Sequence, residues 1–236
     1  MTPVSETYLM DCMDYMRTMP DKYFDLAVVD PPYGGANSSI AGGKRFGGWF
    51  DRYKPDGRNM GGEIRKKIIS WDVAPDQEYF KELFRVSKHQ VIFGANYLQG
   101  LPPTRCFFVW RKLSISDSFS MAMCEYAWTS FSSNAKLFEC LPQGDKKDRR
   151  FHPTQKPVTL YAYLFRQFAK PGDKILDTHL GSGSSRIAAY KMGFDFYATE
   201  IDKEYYTLQE ERFRKECLRE TTVADGRVYV QHGIFQ

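Results

Sequence analysis

The chain lacks any apolar run near the roughly 18 residues that a helix needs to span a bilayer. A helical membrane protein is therefore not expected. Its first residues, MTPVSETYLMDCMDYM, contain acids and no basic cluster, so they do not read as a secretory signal. Cysteine is sparse: Cys12, Cys106, Cys124, Cys140 and Cys217 are scattered, with no CxxC and no Cys/His cluster. That excludes a disulfide frame and a zinc site and suits reduced thiols. A soluble, cytoplasmic protein is the expectation. Charge of one sign is also limited. A net charge of +4 permits nucleic-acid binding without requiring it, because placement matters more than total. Two nucleotide signatures are missing. There is no Gly-Lys-Ser/Thr of a P-loop, and no third glycine of a G-x-G-x-x-G turn, since Arg186 stands there.

What is present divides into three textures. The first ends in the apolar run Phe24 to Val29, closed by Asp30-Pro31-Pro32-Tyr33. This reads as a buried strand with a functional loop at its tip. The second, Gly34 to Ser70, holds nine of the 18 glycines and eight Lys/Arg against three acids. It lacks apolar periodicity and reads as a mobile loop with a net charge of +5, above that of the whole chain. The third alternates. Helices are expected over Glu78 to Lys88, Pro157 to Ala169, Ser184 to Met192 and Lys203 to Glu220. The last is expected to carry Glu210–Arg214 and Glu211–Lys215 pairs. Strands are expected over Gln90 to Gly94, Cys106 to Trp110, Met121 to Phe131, Lys174 to Asp177 and Phe194 to Glu200. A second basic stretch contains Lys146, Lys147, Arg149 and Arg150. The chain reads as one catalytic domain over residues 1–236, with a basic loop inserted at about 34–70.

Three constellations carry chemistry. Asp177-Thr178-His179-Leu180-Gly181-Ser182-Gly183 lies between a strand and a helix, and glycines there let backbone approach a ligand. Glu200 ends the next strand, 23 residues after Asp177. An acid in that position can accept both ribose hydroxyls of an adenosine. An ordinary strand–turn–helix is the alternative. In Asp30-Pro31-Pro32-Tyr33, a carboxylate and the Pro31 carbonyl can each accept one N–H of an exocyclic amino group. That aims a lone pair otherwise delocalised into the ring. Pro32 holds Pro31 extended, and Tyr33 offers a flat face to a flipped base. A proline-rich turn is the alternative. His152-Pro153-Thr154-Gln155-Lys156-Pro157 precedes a helix, and Thr154 and Lys156 could meet a carboxylate. A helix start with proline in its first turn explains the same residues. His89 and His232 read as surface or turn residues, and Trp71, Trp110 and Trp128 as core.

In that order the three motifs resemble the β-group amino-DNA methyltransferases, whose catalytic motif precedes the cofactor motif. The resemblance covers roughly Tyr8 to Glu220. It implies an α/β, Rossmann-like fold with a mainly parallel sheet and helices on both faces. It implies S-adenosylmethionine as cofactor and double-stranded DNA as partner. A homodimer and a cognate restriction nuclease stay open as further partners. Asp30, Pro31, Pro32 and Tyr33 would form the methyl-transfer site, with Asp30 also bordering the cofactor. Asp177, His179, Leu180, Gly181, Ser182 and Gly183 would wrap the methionine end, and Glu200 would take the ribose. Asp11 and Cys12 match the position that meets adenine. Thr154 and Lys156 match residues beside the methionine carboxylate. His179 stands where the family usually has phenylalanine. The recognition segment, at about 132–151, is very short.

The reaction expected is methyl transfer to the adenine amino group, since Asp-Pro-Pro-Tyr resembles adenine enzymes more than cytosine-amino ones. Cytosine amino transfer, a non-catalytic DNA-binding remnant and a nicotinamide dehydrogenase are the alternatives. No Pro-Cys pair for carbon-5 chemistry occurs. With so short a recognition segment, DNA contact is assigned to Lys44, Arg45, Arg65, Lys66 and Lys67 of the loop and to Lys146, Lys147, Arg149 and Arg150. Neutralising Arg65, Lys66 and Lys67 together should flatten the slope of log affinity against log salt. The expected change is about 0.9 for each phosphate no longer neutralised, with cofactor affinity unchanged. Binding by the triple variant that matches the parent at every salt concentration would assign these charges to solubility.

Overall fold

The computed structural model describes residues 2–34, 72–118, 122–143, 150–222 and 228–230. Lys44, Arg45, Arg65, Lys66, Lys67, Trp71, Lys146, Lys147, Arg149 and His232 lie outside the described residues.

The elements run β1 (Ser5–Leu9), α1 (Cys12–Thr18), β2 (Phe24–Val29), α2 (Gln77–Val86), β3 (Ser87–Phe93), β4 (Phe107–Lys112), β5 (Cys124–Thr129) and β6 (Lys136–Cys140). They continue with α3 (Val158–Phe168), β7 (Lys174–Asp177), α4 (Ser184–Met192), β8 (Asp195–Glu200) and α5 (Lys203–Phe213). A π turn (Arg214–Leu218) and the small hairpin β9 (Glu220–Thr222) and β10 (Val228–Val230) close the series. The main sheet has the order β1-β8-β7-β2-β3-β5-β4-β6. Its first five strands are mutually parallel, while β5 runs antiparallel to both β3 and β4. Among the described residues, no helix is long and apolar enough to cross a membrane.

Side chains alternate across a strand, and β2 shows the result. Leu26 and Val28 enter one core with Phe93, Leu164 and Phe165, under α3 and α4. Ala27 and Val29 enter the other with Met16, Phe80 and Leu83, under α1 and α2. Burial on both faces is why this strand reads as a continuous apolar run. Each fully buried large side chain contributes about 1.5–3 kcal/mol. The expected mainly parallel sheet with helices on both faces is therefore the fold found. Trp110 and Trp128 are buried, and His89 sits exposed on β3, stacked on Phe131.

Three details differ from the sequence reading. Strand β1 and helix α1 were not expected, and β6 occupies residues 136–140 of the segment read as a recognition element. The last helix stops being α-helical at Phe213, and Arg219 turns left-handed (φ 57°) before β9. Its charge pairing is also different. Glu210 pairs with Arg186 at 2.6 Å, and Arg212, near the helix end, pairs with Glu216 of the π turn at 2.7 Å. A buried guanidinium with several acceptors outcompetes a solvated pair worth a few tenths of a kcal/mol.

Arg186 explains this choice. Its guanidinium reaches Ser5 Oγ at 3.0 Å, Gln209 Oε1 at 3.0 Å and Glu210 Oε1 at 2.6 Å. It also lies 3.8 Å over the Phe213 ring. The side chain thus runs sideways from α4 to α5 and the start of β1. Arg186→Met should lower stability by about 1–3 kcal/mol, because it leaves buried Gln209 Oε1 without its donor and Glu210 without its cation, although Thr7 and Gln209 still donate to Glu210. Urea unfolding should show a lower midpoint at unchanged slope. An unchanged midpoint would show that the network is energetically neutral.

Candidate active site at the strand ends

Strand order places the site. From β7 the chain proceeds to β8 on one side, and from β2 to β3 on the other. Loops leaving the carboxyl ends of β7 and β2 therefore diverge, and a crevice opens between them, the usual ligand position in open parallel sheets. The cavity there measures about 540 Å³. Asp30 to Tyr33 form one wall, and Thr178 to Ser182 with Glu200 form the other. Asp11, Cys12, Thr154 and Lys156 also line it. Because β5 is antiparallel, the start of that strand rather than its end reaches the crevice, and it brings Glu125.

The β7 side is held by backbone bonds to carboxylates. Asp177 is buried beneath the turn, where it accepts from Ser185 Oγ at 2.6 Å and His179 N at 3.0 Å. Burial pushes its carboxyl up to about 7. Glu200 accepts from Gly181 N at 2.7 Å and Asp202 N at 2.9 Å, and burial raises its pKa. Gly183 caps α4 in the left-handed region at φ 73°. Asp177 and Gly183 thus shape the turn from behind the cavity wall, while His179, Leu180, Gly181 and Ser182 are on it. Thr178 Oγ1 bonds both the Tyr79 hydroxyl (2.7 Å) and His179 Nδ1 (2.9 Å). Burial holds the His179 imidazole down to about 4, so the ring is neutral near pH 7. Asp11 caps α1, accepting from Met13 N at 2.7 Å. Burial pushes the Cys12 thiol up to about 12, which keeps it from acting as a thiolate.

The β2 side is closed on itself. Asp30 accepts from the Tyr33 hydroxyl through Oδ1 and from the Lys156 ammonium through Oδ2. Lys156 lies a further 3.1 Å from Glu125 Oε2, and Lys112 sits 2.7 Å from Glu125 Oε1. Burial works against a charged Glu125, yet the two ammonium groups hold its pKa down to about 2. Lys156 is also buried, and Asp30 and Glu125 raise its pKa against that burial. Its ammonium is thus hydrogen-bonded to Asp30, with Glu125 within ion-pair distance. Arg150 donates to the Gln155 carbonyl at 2.9 Å, so it braces the His-Pro-Thr loop.

Three lining or supporting residues were missed. Glu125 carried a signal, as an acid inside the apolar strand CEYAWT. Tyr79 read only as helix core, and its bond to Thr178 spans 99 positions. Gly94 follows β3 at φ 68°, and a Cβ there would lie 2.0 Å from Tyr33 Cε1. The Tyr33 ring therefore rests on bare backbone, stacked on Tyr97 at 5.5 Å.

A glycine turn facing an acid at the next strand end, with Asp-Pro-Pro-Tyr across the same crevice, defines a Rossmann-like methyltransferase. The chain belongs to the N6/N4 DNA methylase family, whose pattern matches residues 66–211. It is 37% identical to the type II methyltransferase M2.DpnII of Streptococcus pneumoniae over 87% of this chain and 88% of that one. Its fold is similar to that of the PvuII DNA methyltransferase (cytosine-N4-specific), with a TM-score of 0.57 and 14% identity over 90% of this chain and 87% of that one. It is also similar to the DNA modification methylase TTHA0409 of Thermus thermophilus complexed with S-adenosyl-L-methionine, with a TM-score of 0.53 and 17% identity over 90% and 94%. At those identities the structural likeness is one of fold.

Gly94→Ala should displace Tyr33. Methyl transfer should fall roughly a hundredfold, as for an ångström-scale misplacement, with about 1–3 kcal/mol of stability lost to backbone strain. Gly172→Ala is the control: its φ is +88°, with nothing within 4 Å of the added Cβ. It should cost stability alone. Equal activity in the two variants would remove Gly94 from the site.

Proposed function

We propose that this DNA methyltransferase transfers a methyl group from S-adenosylmethionine to the exocyclic amino group of adenine in double-stranded DNA, with the base flipped out of the duplex. One observation carries the reading: Asp30, a carboxylate, leads the Pro-Pro-Tyr tip on the wall of the crevice. A carboxylate is a stronger acceptor for an amino N–H than a serine hydroxyl. It also counters the positive charge that grows on nitrogen as the methyl group arrives.

The opposite wall fits the methyl donor. Glu200 presents its carboxylate on the cavity beside Gly181. A Cβ at Gly181 would come within 3.3 Å of the His152 ring, so glycine keeps that space open. Gln155 is buried on the same cavity, and its Oε1 has no hydrogen-bond partner. Glu200 would hold ribose hydroxyls, Asp11 and Cys12 would border the adenine, and the turn His179 to Ser182 would enclose the methionine end. S-adenosylmethionine supplies the methyl group. A neutral His179 places no positive charge beside a cationic donor, whereas Asp11, Asp30 and Glu200 favour one.

The chain's own residues do the rest. Asp30 and the Pro31 carbonyl accept the two amino N–H bonds. Pro32 keeps Pro31 extended, and Tyr33 provides the face on which the base stacks. DNA contact is assigned to the two basic stretches, whose charge would be read through salt dependence.

Plasmid DNA from a methylation-deficient host, incubated with the protein and labelled S-adenosylmethionine, should yield N6-methyladenine after hydrolysis to nucleosides. Asp30→Ala should lower the rate by about a hundredfold or more, while calorimetry shows S-adenosylmethionine affinity reduced far less than the rate. Label in N4-methylcytosine would instead establish the cytosine reading. Substantial turnover by Asp30→Ala would overturn the role of Asp30.

A further inference from the structure

Both oxygens of the Asp30 carboxylate are engaged within the protein, by the Tyr33 hydroxyl and by the Lys156 ammonium. Each oxygen keeps a further lone pair. An incoming amino group must still compete with these donors for the carboxylate's charge, and the buried Lys156 ammonium is the stronger competitor. Lys156 is 5% exposed and lies 4.7 Å over the Phe93 ring. An ammonium at such a place cannot simply let go, because a buried charge left unpaired is strongly unfavourable. It needs a second carboxylate within reach.

Glu125 is that carboxylate. Its Oε2 lies 3.1 Å from Lys156 Nζ, yet it is buried and makes no aligned hydrogen bond. An acceptor position on Glu125 is thus available beside the ammonium that Asp30 now holds. The other oxygen, Oε1, is pinned 2.7 Å from Lys112, itself 7% exposed. Lys112, Glu125, Lys156 and Asp30 form a line of alternating charge from β4 across β5 to the tip of β2. The line carries two positive and two negative groups, so a small shift of Lys156 along it leaves no charge alone.

We propose that Glu125 is a positioning residue for methyl transfer: it takes the Lys156 ammonium when the target amino group takes the Asp30 carboxylate. This rests on the reading of Asp30 as the amino acceptor. Asp30 then exchanges an internal cation for substrate, and the pairing of Lys156 passes from one acid to the other. Among the described residues, the titratable and charged groups facing this site include Asp30 and Tyr33 after β2, Tyr79 on α2, Lys112 on β4, Glu125 on β5, Tyr161 on α3, Arg150 before α3 and Asp177 at the end of β7. Burial, with the surrounding acids, holds the Tyr161 phenol well above its ordinary value, so it stays neutral.

The sign of the pH effect follows. Glu125→Gln leaves Lys156 with Asp30 as its one carboxylate. While protonated, Lys156 then clings to Asp30, and kcat near neutral pH should fall roughly tenfold for a broken coupling within one network. Losing an acid also lowers the Lys156 pKa, because burial then weighs more heavily. Raising the pH should deprotonate Lys156, free Asp30 and lift kcat of the variant toward the parent. The parent should show no such rise over the same interval. Glu125→Asp retains the charge and should restore part of the neutral-pH turnover.

The experiment measures kcat against pH for the parent, Glu125→Gln and Glu125→Asp on plasmid DNA. Calorimetry with S-adenosylmethionine runs alongside. Retained cofactor binding with an alkaline rise confined to Glu125→Gln supports the proposal. A Glu125→Gln profile parallel to that of the parent, at any height, overturns it. Loss of cofactor binding in both variants also overturns it, since Glu125 would then be structural. If instead the parent fails to methylate DNA, or Asp30→Ala methylates it, the reading of Asp30 has failed first.

Discussion

The crevice depends on two parallel strands, β7 and β2, that lie side by side while their chains leave in opposite directions. Among the described residues, no loop then covers the strand ends between them. The carboxyl ends of both strands open on one cavity of about 540 Å³, and the sites of two chemically different motifs become neighbours. Apolar side chains on both faces of β2, Leu26 and Val28 on one and Ala27 and Val29 on the other, hold that strand in place. The placement of Asp30 is thus a consequence of sheet packing more than of its own loop.

Electrostatics divides the crevice into two halves. On the β7 side, acids are satisfied by backbone N–H groups: Asp177 by His179 and Glu200 by Gly181 and Asp202. Such bonds order a glycine turn and need no cation. On the β2 side, acids are satisfied by lysines, with Lys156 between Asp30 and Glu125 and Lys112 behind Glu125. Ion pairs with little solvent are strongly attractive yet expensive to break singly. The two halves therefore differ in kind. One is a preorganised cradle, and the other is a set of charges that can exchange partners.

Support for the cradle comes from outside it. Arg186 joins α4 to α5 and to Ser5 at the start of β1. The turn that ends in Gly183 is thereby anchored to the chain's first strand and its last α-helix. At the sequence level Arg186 mattered as the residue standing where a dinucleotide turn needs glycine. In the fold, it is one of the ties that hold α5 against α4 and β1.

Much of the site was legible in the sequence because its parts are local. A buried strand, a proline-fixed tip, a glycine turn and an acid at the next strand end are each written within a few consecutive residues. Their residue types answer to backbone geometry that neighbours in the chain impose. Strands β7 and β8 and the helix between them were readable for the same reason. What the sequence could not determine was partnership across distance. Lys156 finds Asp30 across 126 positions. Glu125 reaches the crevice because β5 runs antiparallel to β3. Gly94 supports Tyr33 because β3 lies beside β2. Even β1 needed the fold, since its short, half-buried stretch becomes a strand by pairing with β8. Local pattern determined which groups could do the chemistry. Only the packed sheet decided which charges would share a dry space, because Coulomb attraction and desolvation act through distance in three dimensions and leave no periodicity along the chain.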